Sequence, residues 1–151
     1  MTSSTLRDGI DSYDAANIHD HKKSTVWASS GSGIGTKITF TFDCSGKEYR
    51  DWQNIPFGID SFSLINGFAR SPELWSANGR VKTFNISFNG VPKGTVSVED
   101  TAAPQLVKLP DLVFALGKKS RLVLEVTDVY PGATETDTCI ADIAFSGFGV
   151  H

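Results

Sequence analysis

Between Thr36 and Asp43 the chain alternates without a break: Ile38, Phe40 and Phe42 fall on one side, Lys37, Thr39 and Thr41 on the other. A two-residue period of this kind fits an extended strand with one face buried and one wet. Similar runs follow. Phe62 and Leu64 share a face. From Val81 to Asn89, Phe84, Ile86 and Phe88 alternate with Lys82, Thr83, Asn85 and Ser87. Thr95 to Val98 turns Val96 and Val98 inward, and Gln105 to Leu109 is a further short run. Arg121 to Val129 sets Leu122, Leu124 and Val126 against Arg121, Val123, Glu125 and Thr127, and Thr138 to Gly147 sets Ile143 and Phe145 against Asp142 and Ala144. Strands that each bury one face must lay sheet against sheet. The expectation is an all-β, jelly-roll-like antiparallel β-sandwich of about eight strands, with one short helix. Residues 1 to 35 show neither period and read as a loop, with one helical turn allowed near Tyr13 to Asp20.

The helix is expected in the connection Ile65 to Val81. Ser71, Pro72 and Glu73 supply an N-cap oxygen, a proline at the first helical position and an acid in the first turn. Asn78-Gly79 should end it about two turns later, with Gly79 as a left-handed cap. This connection also carries Asn66, Arg70, Asn78 and Arg80. A long loop that aims two amides and two guanidinium groups outward while burying its apolar residues has the character of a binding loop on a rigid scaffold. The alternative is that these groups only brace the loop, with Arg80 paired to Asp137.

At 151 residues the chain has the size of one domain, taken as 1–151. Its formal charge of -3 and the absence of any basic run longer than Lys22-Lys23 or Lys118-Lys119 speak against nucleic acid as a partner. No stretch is apolar for long enough to span a bilayer, and Met1-Thr-Ser-Ser-Thr lacks the features of a signal peptide. The chain could be a module of a longer secreted protein. Cys44 and Cys139 sit beside strands, outside any Cys-x-x-Cys spacing, and are read as two free thiols.

The glycine-rich segment Ser29 to Gly35 precedes a strand instead of opening a helix, so nucleotide binding is rejected. No nucleophile-and-base motif is present, and the reading is non-enzymatic. His19 and His21 stand without a third ligand and are read as surface residues.

Three segments, taken together, resemble a known family. They are Asn17-Ile-His-Asp20 with Ser24-Thr-Val-Trp27; Ile65-Asn-Gly-Phe68 with Arg70, Ser71, Leu74, Asn78 and Arg80; and Val129-Tyr-Pro-Gly132 with Asp137 to Ile143. The pattern resembles the discoidin-like, galactose-binding-like domains called NADase-type glycan-binding domains, over roughly residues 3 to 148. The resemblance implies a β-sandwich, a glycan ligand and an extracellular or cell-surface parent protein. It also implies a structural calcium held by Asp20, Thr25, the backbone of Asn17, and Asp142 where relatives commonly carry Glu. His21 and Lys22 depart from the usual Gly-Asp or Gly-Asn there, and the alternative is that Asp20 and Asp142 cap loops.

Sugar recognition needs ring faces for the apolar side of a pyranose and amides, carboxylates or guanidinium groups for its hydroxyls. The expected ligand set is Asn66, Arg70, Asn78 and Arg80 with Trp75, Tyr130, Asp137 and Trp52, with Trp27 left to the core. The competing reading is a protein-interaction or assembly module using exposed Trp52, Phe57 and Trp75.

Overall fold

The computed structural model describes residues 10–14, 27–28, 33–46, 57–67, 71–115, 117–134 and 137–148; at 10–14, 27–28, 74 and 142 the backbone alone is described. Nine strands and one helix are found there: β1 (Ile10–Asp14), β2 (Trp27–Ala28), β3 (Lys37–Asp43), β4 (Gly58–Asn66), α1 (Pro72–Ala77), β5 (Gly79–Phe88), β6 (Val91–Ser97), β7 (Gln105–Val113), β8 (Lys119–Tyr130) and β9 (Thr138–Phe148).

The hydrogen-bonded order is β1-β3-β8-β5-β9-β4-β7, with β6 on β5 and β2 on β9. This continuous sheet curls into two layers. One holds β1, β3, β8, β5 and β6; the other holds β2, β9, β4 and β7. Among the described residues a two-residue parallel pairing joins them, Gly79 with Thr138 and Arg80 with Cys139. The alternating residues fill the space between. Phe40 and Phe42 from β3 meet the ring of Phe145 from β9 edge-on, at 4.8 and 5.2 Å between centroids. Phe62 from β4 meets Phe84 from β5 at 6.2 Å. T-shaped packing sets the positive edge of one ring against the negative face of the next, which adds to the area they bury. Leu64, Ile86, Leu122, Leu124 and Val126 complete a closed apolar centre.

Every strand expected from the alternation is present, and three readings are corrected. First, residues 1 to 35 are not all loop: β1 includes Tyr13 and Asp14 and pairs parallel with β3, Ile10 opposite Thr39. Ile-Asp-Ser-Tyr-Asp has no apolar alternation because an outermost strand needs no such pattern to complete a neighbour's hydrogen bonds. Second, β7 runs on past Leu109 through Pro110 to Val113. A register shift opposite Ile59 and Ser61, on a strand that among the described residues pairs with β4 alone, accommodates the missing N–H. Third, the strand expected to start at Thr95 begins already at Val91, and the turn before it is Asn89-Gly90 alone, with φ of 50° and 80°. Two residues with positive φ match the twist of an antiparallel hairpin.

Both cysteines are free and buried. Burial, with the negative charge of Asp137 second, pushes the Cys139 thiol up to about 11. A thiol raised from 9.0 is neutral in the folded state, so its contribution to stability is whole below pH 9 and lost as pH rises through 11. The expected result of a native thiol assay at pH 8 is no modification at either Cys44 or Cys139. Both should react in denaturant. Labelling of Cys139 in the folded protein would contradict its burial.

Candidate functional site

The site forms where β5 and β9 begin side by side, at the seam between the layers. A six-residue helix has too few hydrogen bonds to stand alone, so α1 depends on what surrounds it. Its start follows the sequence: the Trp75 N–H reaches the Ser71 carbonyl at 2.9 Å. Its end does not. Gly79 lies outside the left-handed region and is the first residue of β5. Glycine is needed there for close approach, since a Cβ would lie 2.9 Å from Thr138 Oγ1 and 3.0 Å from the Asp137 carbonyl. The helix is capped from outside by the 131–134 loop, whose Ala133 and Thr134 N–H groups donate to Ser76 and Ala77 at 2.9 and 3.3 Å. Gly132 permits this: a Cβ at that position would sit 2.2 Å from the Ala77 oxygen.

Arg80 is the hub. It is only 8% exposed, and every nitrogen of its guanidinium group has a partner. Nε and Nη2 form a fork on Asp100 at 2.8 and 3.1 Å, and Nη1 donates to the carbonyls of Asn78 at 2.8 Å and Trp75 at 3.2 Å. Its Cζ lies 4.3 Å from the centre of the Trp75 ring, within cation–π range. The partner is therefore Asp100, from the segment joining β6 to β7, and not Asp137. Asp137 instead offers its backbone carbonyl to the Gly79 N–H at 2.7 Å.

The outward amide expected of Asn66 also faces inward. Its side chain is fully buried; Nδ2 donates to the Val81 carbonyl at 2.7 Å and Oδ1 accepts the Val81 N–H at 3.1 Å. The amide imitates a strand neighbour, because β4 ends there and the Val81 N–H and C=O, on the side of β5 away from β8, would otherwise lack one. Asn78 is buried as well. These three residues hold the loop in shape, for a physical reason: polar groups at a seam between sheets must satisfy backbone that the ladders no longer reach.

What faces the surface is aromatic. Trp75 and Tyr130 are both half-buried, with their polar tips turned in: Trp75 Nε1 donates to the Asn66 carbonyl at 3.0 Å and the Tyr130 hydroxyl to the Val98 carbonyl at 2.9 Å. Lys82 Nζ stands 5.6 Å from the Tyr130 ring and 3.9 Å from Asp128. Arg80 and Tyr130 are register partners across β5 and β8, so the two aromatic residues border one cluster. Lys82, Asp100 and Asp128 were not expected there. Their separation from their partners along the chain leaves no local signal, and only the curl of the sheet assembles them.

Of the remaining expected residues, Arg70, Trp52, Asn17, Asp20 and Thr25 lie outside the described residues, as does the side chain of Asp142. Among the described residues no group of three or more His, Cys, Asp or Glu side chains gathers to hold a metal. Among them, too, no helix is long and apolar enough to cross a membrane.

The fold is a curled two-layer β-sandwich of discoidin-like type, with Trp75, Arg80, Asp100 and Tyr130 gathered at one seam. The chain belongs to the family described as NAD glycohydrolase translocation F5/8 type C domain, which residues 1–146 match. Two solved structures are also similar. One is the CBM36-1 domain of a multidomain xylanase from the hindgut metagenome of Trinervitermes trinervoides, at 18% identity and TM-score 0.44, covering 82% of this chain and 79% of that one. The other is a CBM36 carbohydrate-binding module in complex with calcium and xylotriose, at 13% identity and TM-score 0.41, covering 89% and 98%. No curated protein sequence matches the chain.

Proposed function

We propose that this domain is a non-catalytic glycan-binding module of a secreted or cell-surface protein, and that its ligand packs on the Trp75–Tyr130 cluster. One observation carries the reading. Both aromatic side chains send their hydrogen-bonding ends into the protein, so ring surface is what they offer to solvent, beside Lys82, Asp100 and Asp128. That combination suits a sugar, which has an apolar face ringed by hydroxyls. The family description supports a non-catalytic role, since it assigns this domain type to translocation. Arg70, Trp52 and Asp137 complete the ligand set in this proposal, while Asn66, Asn78 and Arg80 position it. Calcium belongs to the same reading: β2 runs antiparallel to β9 with Trp27 opposite Ile140, which turns the first residue of β2 toward the Asp142 side of β9.

A glycan array of the purified domain, run with and without calcium, tests this. Tyr130→Ala should weaken specific binding about tenfold through loss of the ring, and Tyr130→Phe should retain it. EDTA should lower it if calcium braces the fold. A folded wild-type domain that binds no glycan would reject the proposal. It would favour the protein-interaction reading instead, for which Leu106 and Val113, exposed at 59% and 60% along β7, are the features to test.

A further inference from the structure

The chain contains three Asn-Gly steps, at 66–67, 78–79 and 89–90, and the fold treats them differently. Asparagine followed by glycine can modify itself: the backbone nitrogen of the glycine attacks the asparagine carboxamide carbon, which requires a reachable N–H and a polarised carbonyl. At Asn66-Gly67 both are blocked. The Asn66 amide is buried on Val81, and the Gly67 N–H donates to the Cys139 carbonyl at 2.9 Å. At Asn78-Gly79 the asparagine is buried and the Gly79 N–H donates to Asp137 at 2.7 Å.

The hairpin tip is the opposite case. Asn89 and Gly90 are exposed, and no described residue accepts a hydrogen bond from the Gly90 N–H. The Arg121 N–H donates to Asn89 Oδ1 at 2.8 Å, while the Asn89 N–H donates back to the Arg121 carbonyl at 2.8 Å. A backbone donor on Oδ1 withdraws electron density from the carboxamide carbon and stabilises charge that develops on that oxygen during attack, as an oxyanion hole does. A side chain at position 90 would screen the nucleophile, and glycine supplies none.

We propose that Asn89-Gly90 is a site of spontaneous deamidation in the folded protein, selected by this hairpin over the other two steps. Base removes the Gly90 amide proton, and the nitrogen forms a bond to the Asn89 carboxamide carbon. The tetrahedral intermediate collapses with loss of Nδ2 as ammonia, leaving a cyclic imide. Water then opens the imide at either carbonyl, giving aspartate or isoaspartate. The net reaction consumes one water and releases one ammonia, with no change of oxidation state. The product carries one more negative charge beside β8, taking the formal charge from -3 to -4.

The test is incubation of the folded protein at 37 °C across mildly alkaline pH, followed by ion exchange and peptide mapping. An acidic form should accumulate faster as pH rises, with conversion at Asn89 roughly tenfold or more ahead of Asn66 and Asn78, which need local opening first. In urea the three steps should converge. Asn89→Gly, which tolerates the φ of 50°, should abolish the acidic form while lowering the melting temperature only through loss of the Arg121 contact. Equal rates at the three steps in the folded protein, or an unreacted Asn89 under conditions where the denatured chain reacts there, would overturn the proposal.

Discussion

Replacing Arg80 with alanine is expected to cost roughly 3 kcal/mol of folding stability, a fall in Tm of roughly 6–12 °C for a chain this size. The loss has three sources. The fork on Asp100 disappears, the Asn78 and Trp75 carbonyls lose their shared donor, and the Trp75 ring loses the cation that covers it. Asp100 is 37% exposed and can recover water, which keeps the effect at the lower end for a broken ion pair. Asp100→Ala should cost a similar amount, roughly 3 kcal/mol, because it leaves the buried guanidinium without its counter-charge and with Nε and Nη2 unpaired. Arg80→Lys should behave more like alanine than like arginine, because an ammonium group cannot reach two carboxylate oxygens and two carbonyls while lying flat on an indole. Thermal melts of the three variants decide it. An Arg80→Ala domain that melts with the wild type but loses glycan binding would make Arg80 a ligand residue and not a brace.

The contrast between Arg80 and Phe84, four residues apart on β5, shows what the sequence can tell. Phe84 announces itself: it alternates with polar neighbours, and a half-buried strand has no other use for such a pattern. Ile38, Phe40 and Phe42 on β3 and Leu122, Leu124 and Val126 on β8 are legible for the same reason, and all are buried. Arg80 is legible as a residue that needs a partner but not as to which. Asp100 and Asp137 both lie far beyond local reach along the chain, and the choice between them follows from how the β6–β7 connection folds over the seam. Asn66 is misleading for a related reason. An amide in a polar loop reads as outward, yet β4 ends beside Val81, and that gap in the ladder is visible only once both strands are placed. Gly79 reads from the sequence as a left-handed cap, whereas the fold needs it for the tight parallel approach to Thr138. β1 was invisible because its five residues have no apolar period to detect.

Gly132→Ala should be as damaging as the loss of Arg80, through packing alone. The added Cβ would lie 2.2 Å from the Ala77 oxygen and 2.6 Å from the Asn78 carbonyl carbon. Both are backbone atoms, so no rotamer change relieves the clash. Either α1 or the 131–134 loop must move. Overpacking of this kind costs about 1–3 kcal/mol. Displacing the loop also removes the Ala133 and Thr134 donors from the end of the helix, at about 1 kcal/mol each. Gly46→Ala provides the control, since nothing lies within 4 Å of its Cβ position and its φ of +78° leaves only the backbone cost, about 1–2 kcal/mol. Denaturant melts should place Gly132→Ala clearly below Gly46→Ala, and amide exchange should quicken in α1 of the former first, because the cap is lost there. That local loosening should carry Trp75 away from Tyr130 and weaken glycan binding under conditions where the rest of the sandwich is still folded. If Gly132→Ala left helix exchange and binding unchanged, the loop would not be what holds α1 against the seam, and the aromatic cluster would owe its order to Arg80 alone.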